Sequence, residues 1–219
     1  MDSTDKYFWN EVYYPNLKKS EKDFLKETYL SRFISELPEL LTTISSKTAL
    51  DLGCGLGQDT QWLLSQGFDV TACDISQKAT QQLKGVVPDK NLLHFDMAKG
   101  LPFRDDTFGL VNANLSLHYF DFATTEKLFA DIERVLIPGG ILIGRVNSDK
   151  NNYIDADWQE IEADFYYNQK LQQHKRLFNQ QQFDHLTKNW EVVILRENLT
   201  VRKQRQKFTW EFVLRKPLA

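Results

Sequence analysis

Between residues 47 and 146, short apolar runs alternate with segments of helical spacing, and that rhythm admits few folds. The runs 47–52 (KTALDL), 68–73 (FDVTAC), 91–95 (NLLHF), 107–115 (TFGLVNANL) and 141–146 (ILIGRV) read as strands. Leu56, Thr60, Leu63 and Leu64 share one helical face. Ser76 is placed to cap a second helix reaching about Lys84. Leu128, Phe129, Ile132, Val135 and Leu136 line a third, which Pro138-Gly139-Gly140 should stop. Strands joined through helices run parallel, and the helices cover both faces of the sheet. Two further strands, 190–196 and 207–214, have no helix between them and should pair as an antiparallel hairpin. The predicted fold is therefore α/β, with a seven-stranded, mostly parallel sheet and an antiparallel last strand.

The 219 residues read as one domain. Residues 1–46 form an N-terminal cap, with an aromatic start (Tyr7, Phe8, Trp9, Tyr13, Tyr14) and a helix from about Glu21 to Glu36. Residues 47–147 carry the strand–helix core. Residues 148–178 are a polar insertion or lid, and 179–219 hold a last helix, capped by Asn179 and Gln182, and the hairpin. Apolar residues at 42% and charged residues at 26% exclude wholesale disorder. The balance of 27 Lys plus Arg against 30 Asp plus Glu argues against a nucleic-acid partner. Two cysteines, Cys54 and Cys73, exclude a disulfide framework and a cysteine-rich zinc cluster, and no metal is expected. No signal peptide or membrane-length apolar run is visible, so the expected location is the cytoplasm.

The sharpest local signal is Asp51-Leu52-Gly53-Cys54-Gly55-Leu56-Gly57, where the first strand meets the first helix. Glycines there permit a tight turn and close approach of a ligand to backbone. In an open parallel sheet this crevice is where ligands bind. The dinucleotide fingerprint G-x-G-x-x-G fails at Gln58, which disfavours a nicotinamide oxidoreductase. An acidic residue at the cradle would repel a pyrophosphate and welcome a cation. Asp74 ends the second strand, placed for ribose hydroxyls, and Asp96 ends the third, placed for an adenine amine. The pattern predicts a ligand with an adenosine and an amino or sulfonium cation.

LDLGCGLGQDT, ACDIS, FDMAKGLPFRDDTFGLVNANLSLHYF and RVLIPGGILIGRVNS resemble the successive motifs of class I S-adenosylmethionine-dependent methyltransferases, closely over about 47–147. The tone is that of bacterial small-molecule enzymes, including the tellurite-resistance-like branch. The resemblance implies a Rossmann-like fold, S-adenosyl-L-methionine as cofactor and S-adenosyl-L-homocysteine as product. It makes 47–147 the cofactor-binding half. Asp51 and Gly53 would sit by the methionine part, with Cys54, Gly55 and Gly57 in the loop beneath and Gln58 and Asp59 beside it. Asp74 would hold the ribose, Ile75 would pack on the adenine, and Asp96 and Met97 would flank it. Asn114 and Leu115 would lie under the transferred methyl. An Asn-Leu-Ser-Leu sequence there departs from the Pro-Pro-aromatic pattern of the DNA-base enzymes.

Methyl transfer from a sulfonium is mainly a matter of alignment, so no catalytic triad is required, and none is visible. His118 is the candidate base; packing beside Tyr119 is its alternative. His94 reads as structural, His174 and His185 as exposed on polar helices, and Cys54 and Cys73 as small apolar fillers. Tyr7, Trp9 and Tyr14, with Tyr119, Asn147 and Tyr153, are candidates to contact the acceptor beside His118; Trp158 and Tyr166 add to a possible aromatic roof, against which ordinary packing weighs equally. Arg202, Lys203, Arg205 and Lys207 can attract an anionic substrate, but an edge-protecting turn is the favoured reading. The expected function is methylation of a small-molecule acceptor by a monomer or homodimer. RNA or protein methylation, or cofactor binding without catalysis, are the alternatives.

Overall fold

A computed structural model describes residues 4–16, 32–151, 154–202 and 205–218. The apolar runs become strands β1 (Thr48–Leu52), β2 (Asp69–Asp74), β3 (Leu92–His94), β4 (Phe108–Asn114) and β5 (Leu136–Asn147), all parallel to one another. Later come β6 (Trp158–Glu162), β7 (Phe165–Asn168), β8 (Gln173–Arg176), β9 (Glu191–Arg202) and β10 (Arg205–Arg215). The main sheet has the order β3-β2-β1-β4-β5-β10-β9, and β10 runs antiparallel to both neighbours. The seven strands and the reversed one are as the pattern predicted.

Helices cover both faces. On one, α3 (Phe122–Val135) and α4 (Gln180–Leu186) bury Leu128, Phe129, Ile132 and Phe183 against Val111, Leu142 and Phe212. On the other, α1 (Gln58–Ser65) and the short helical segments Arg32–Ser35 and Pro38–Thr42 bury Leu63, Phe33 and Leu41 against Val70, Ile143 and Val213. Apolar side chains from alternate strand positions thus feed two cores, each contributing roughly 1.5–3 kcal/mol per large side chain. The capping box forms as expected, Asn179 accepting from the Gln182 amide and Gln182 answering at the Asn179 amide.

Several boundaries differ from the sequence reading. The helix over the 128–136 stripe ends at Val135, before Pro138, because the residue preceding a proline avoids helical backbone. β5 therefore starts early and takes Pro138-Gly139-Gly140 as an irregular stretch, with a register shift opposite Phe108–Leu110. Helix α2 (Gln77–Gln81) is capped by Ser76 and stops short of Lys84. Of the expected helix 21–36, residues 21–31 lie outside the described residues. The hairpin strands are longer than predicted, so Arg202, Arg205 and Lys207 lie within β9 and β10, and Lys203 lies outside the described residues.

The insertion is a three-stranded sheet, β6-β7-β8. His174 lies on its β8 strand, stacked at 5.3 Å on Phe165, and is not on an exposed polar helix. Fully buried Arg176 ties this sheet to the body. It donates to the Phe120 and Ala163 carbonyls and to Glu162, between the rings of Phe122 and Phe165. Glu162 also accepts from the Phe122 amide at the start of α3. A lysine cannot reproduce that planar fork. Arg176→Lys should cost about 2 kcal/mol, read as faster hydrogen exchange across β6–β8. Unchanged exchange would remove Arg176 as the anchor.

Candidate cofactor and acceptor site

The parallel strands end together at one edge, where the glycine loop, Asp74, Asp96, Asn114 and Asn147 meet. The loop needs its glycines: Gly53, Gly55 and Gly57 have φ of +84°, +55° and +81°. A Cβ on Gly53 would lie 2.5 Å from the Ser116 Cβ, and one on Gly57 2.1 Å from Leu83. Gly55 is open except for the Tyr14 hydroxyl, 3.4 Å from where a Cβ would stand.

Asp74 is nearly buried and accepts from the Gly55 amide at 3.0 Å and the Ser76 amide at 2.8 Å. Burial raises its pKa, while those two amides pull it down. Each carboxylate oxygen has two acceptor sites, so capacity remains for ribose hydroxyls. Ile75 offers its carbonyl to His94 Nε2 at 2.9 Å, which gives His94 the structural role expected of it. Asp96 caps the short turn Met97–Lys99 through one oxygen, and Met97 is buried beside Gly53. Both cysteines are buried, and burial pushes both thiols up, as for small apolar fillers.

Asp51 does not face open space. Its carboxylate accepts from the Thr60 hydroxyl and, at 2.9 Å, from Asn112 Nδ2. Asn112 Nδ2 also reaches Asp59 at 3.2 Å, and Asn114 Nδ2 donates to the same Asp59 oxygen at 2.7 Å. Arg145 Nε then donates to Asn114 Oδ1 at 2.9 Å. One polar chain thus crosses three strands, from Asp51 on β1 to Arg145 on β5. Burial, then the neighbouring Asp59, pushes the Asp51 carboxyl up to about 7. The acid pair is an unfavourable place for two negative charges and a favourable one for a cation.

Beyond Asn114 the backbone is strained: Leu115 has φ +57° and donates its amide to the Arg145 carbonyl at 2.9 Å. That turn delivers Ser116 and His118, both buried; Ser116 Oγ and His118 Nδ1 have no hydrogen-bond partner. Burial, then Lys207 and Lys175, pushes the His118 pKa well below its ordinary value, so the imidazole is neutral. Over the loop lies the N-terminal helical segment 4–16. Asn10 takes hydrogen bonds from Ser76 Oγ (2.7 Å) and Lys78 Nζ, and Tyr14 is buried against Leu56 and Ala79. Trp9 meets Tyr119 edge-on at 5.5 Å, while Tyr7 is half exposed. The aromatic start therefore packs over the loop, and Tyr153 lies outside the described residues. Gln58 opens α1 beside Asp59. Sequence reasoning missed Thr60, Asn112, Arg145 and Lys175 as site residues: strand pairing brings in Asn112 and Arg145, the first turn of α1 brings Thr60 to Asp51, and the insertion brings Lys175 near His118.

Residues 50–144 match the family described as methyltransferase domain. An uncharacterized methyltransferase of Synechocystis sp. is 36% identical over 107 residues, covering 48% of this chain and 50% of that protein. A structure of SAM-dependent methyltransferases from Methanosarcina mazei superposes with a TM-score of 0.62 at 17% identity, covering 82% of this chain and 98% of that one. The PH0226 protein of Pyrococcus horikoshii gives 0.66 at 20% identity, covering 89% and 93%. The fold is that of class I S-adenosylmethionine-dependent methyltransferases. Within that fold, the family match falls on residues 50–144. The chain spans about half the length of its Synechocystis relative.

Proposed function

We propose that the chain transfers a methyl group from S-adenosylmethionine to a small-molecule acceptor. The observation that carries this is the juxtaposition of the glycine loop and Asp74 with a buried His118, whose Nδ1 has no hydrogen-bond partner, under an aromatic roof. The cleft suits the cofactor. Gly55 leaves backbone accessible, Asp74 keeps acceptor capacity, and the Asp51–Asp59 pair favours a cation. When bound, S-adenosylmethionine supplies an electrophilic methyl on a sulfonium. Asp74 would hold the ribose, Asp96 and Met97 the adenine, and Asn114 and Leu115 the floor beneath the methyl. An acceptor held in line with that methyl would need positioning more than activation. Neutral His118 is positioned to take a proton from the acceptor if it carries one. Trp9, Tyr14 and Tyr119 exclude water above.

Calorimetry with S-adenosylmethionine, S-adenosylhomocysteine and NAD tests the reading. The two methionine derivatives should bind, and Asp74→Ala should weaken them by about 1–3 kcal/mol, roughly 5- to 150-fold. Tighter binding of NAD than of either would overturn it. Release of S-adenosylhomocysteine from a panel of small acceptors would then identify the substrate. Among the described residues no helix is long and apolar enough to cross a membrane.

A further inference from the structure

Three cations gather at the acceptor end of the sheet. Thr209 on β10 stands opposite Asn147 on β5, and Glu211 opposite Arg145, so these four side chains share one face. Lys207, two residues before Thr209, is on that face too. Its electrostatic neighbours are Arg145 and Lys175, both of the same sign. Among the described residues no carboxylate pairs with Lys207. The Glu211 carboxylate is taken by Arg196 and Asn198. Asp59 is bonded to Asn112 and Asn114, and Glu197 pairs with Lys150. Lys175, on β8, lies 4.3 Å over the ring of Trp158, with Asp155 as the acid in its electrostatic range.

Unsatisfied polar atoms mark the same place. Asn147 Oδ1, Thr209 Oγ1 and His118 Nδ1 have no hydrogen-bond partner, and these residues are 1%, 3% and 3% exposed. Buried polar groups in folded proteins are nearly always paired, with protein, water or ligand. A buried cation facing like charges with no acid of its own is costly to the free chain; burial and repulsion push Lys207 down to about 8, and burial does the same to Lys175. Sequence alone makes Lys207 part of a solvated edge. The structure turns it inward instead, toward His118.

We propose that Lys207, with Lys175 and Arg145 around it, forms an anion site beside His118, and that the methyl acceptor is a small acid whose carboxylate or phosphate sits there. Thr209 and the His118 ring can donate to the same anion. Asn147 Oδ1, an acceptor, calls for an O–H or N–H on the ligand. That the anion belongs to a methyl acceptor rests on the methyltransferase reading; the anion site itself does not.

The test is calorimetry on the full chain at constant ionic strength. It uses inorganic phosphate, malonate and, as an uncharged control, dimethyl malonate, and S-adenosylhomocysteine is titrated separately. At least one of the two anions should bind saturably and the diester should not. Preference between phosphate and malonate identifies the acid. Lys207→Met should weaken the preferred anion at least tenfold, Lys207→Arg should recover most of it, and both should bind S-adenosylhomocysteine within about twofold of the unaltered chain. Lys175→Met should lose severalfold and covers the case in which Lys207→Met fails to fold. Absence of saturable binding of either anion, or equal binding by Lys207→Met, would overturn the site. Anion binding without S-adenosylhomocysteine binding would leave the site standing and remove the cofactor reading.

Discussion

Gly53→Ala is expected to lose about 4 kcal/mol of folding stability and all calorimetrically detectable binding of S-adenosylhomocysteine. Two terms add. The φ of +84° lies in the left-handed region, which costs a side-chain-bearing residue roughly 1–2 kcal/mol. The new Cβ would stand 2.5 Å from the Ser116 Cβ, and overpacking of that kind costs roughly 1–3 kcal/mol. Ser116 is buried between strained Leu115 and the turn that bears His118, so relieving the clash must move that turn. Gly67→Ala separates the terms. It has φ +80° with nothing within 4 Å, so it should lose only the strain term, about 1 kcal/mol. Urea denaturation of the two variants checks the argument. Equal losses would show that Ser116 yields freely and that the close approach is not what demands glycine.

That loop was legible because glycine spacing, a strand end and a helix start all coincide in one short stretch of sequence. The five parallel strands were legible for a similar reason: each βαβ unit is local, and its apolar runs are buried on both faces. The hairpin was readable from the missing helix between its strands. What escaped was set by long-range pairing. Asn112 looked like one more residue in an apolar strand, yet the register of β1 with β4 places it opposite Asp51. Arg145 looked like an interruption in ILIGRV, yet it bonds Asn114 on the neighbouring strand. Lys207 belonged by sequence to a basic turn, but β10 begins earlier and carries it inward. The insertion had no clean period of two, because β6 is exposed along most of its length while β7 alone buries Phe165. Its orientation depends on Arg176, whose partners come from Phe120, Glu162 and Ala163.

Asp51→Asn is expected to make the free chain more stable than its parent above pH 7, by at most about 4 kcal/mol, while weakening its grip on the cofactor. In the folded chain the Asp51 carboxyl is pushed up to about 7, from an ordinary value of 3.8, by burial first and by Asp59 second. Between those values the folded state holds a proton that the unfolded state has released. Protonated Asp51 therefore contributes stability that is complete below about pH 4 and is lost as pH rises through about 7. The difference between those two values sets a ceiling of about 4 kcal/mol on the effect. The bonds from Thr60 and Asn112 already oppose the shift and are included in it. An amide in place of the carboxyl cannot ionise, so the variant should show little of this fall. Urea unfolding at pH 5 and pH 8 measures it, and an equal fall in both proteins would remove Asp51 as its source. The same pair links protons to ligand. A cation bound nearby favours the ionised form, so S-adenosylmethionine should expel a proton when it binds at pH 6 and none at pH 8.5. Binding heats collected in buffers of different ionisation enthalpy report that proton directly. Buffer-independent heats at pH 6 would place the cationic end of the cofactor away from Asp51. The carboxylates that least favour the free chain at neutral pH are, on this account, the ones that a sulfonium and an ammonium would relieve.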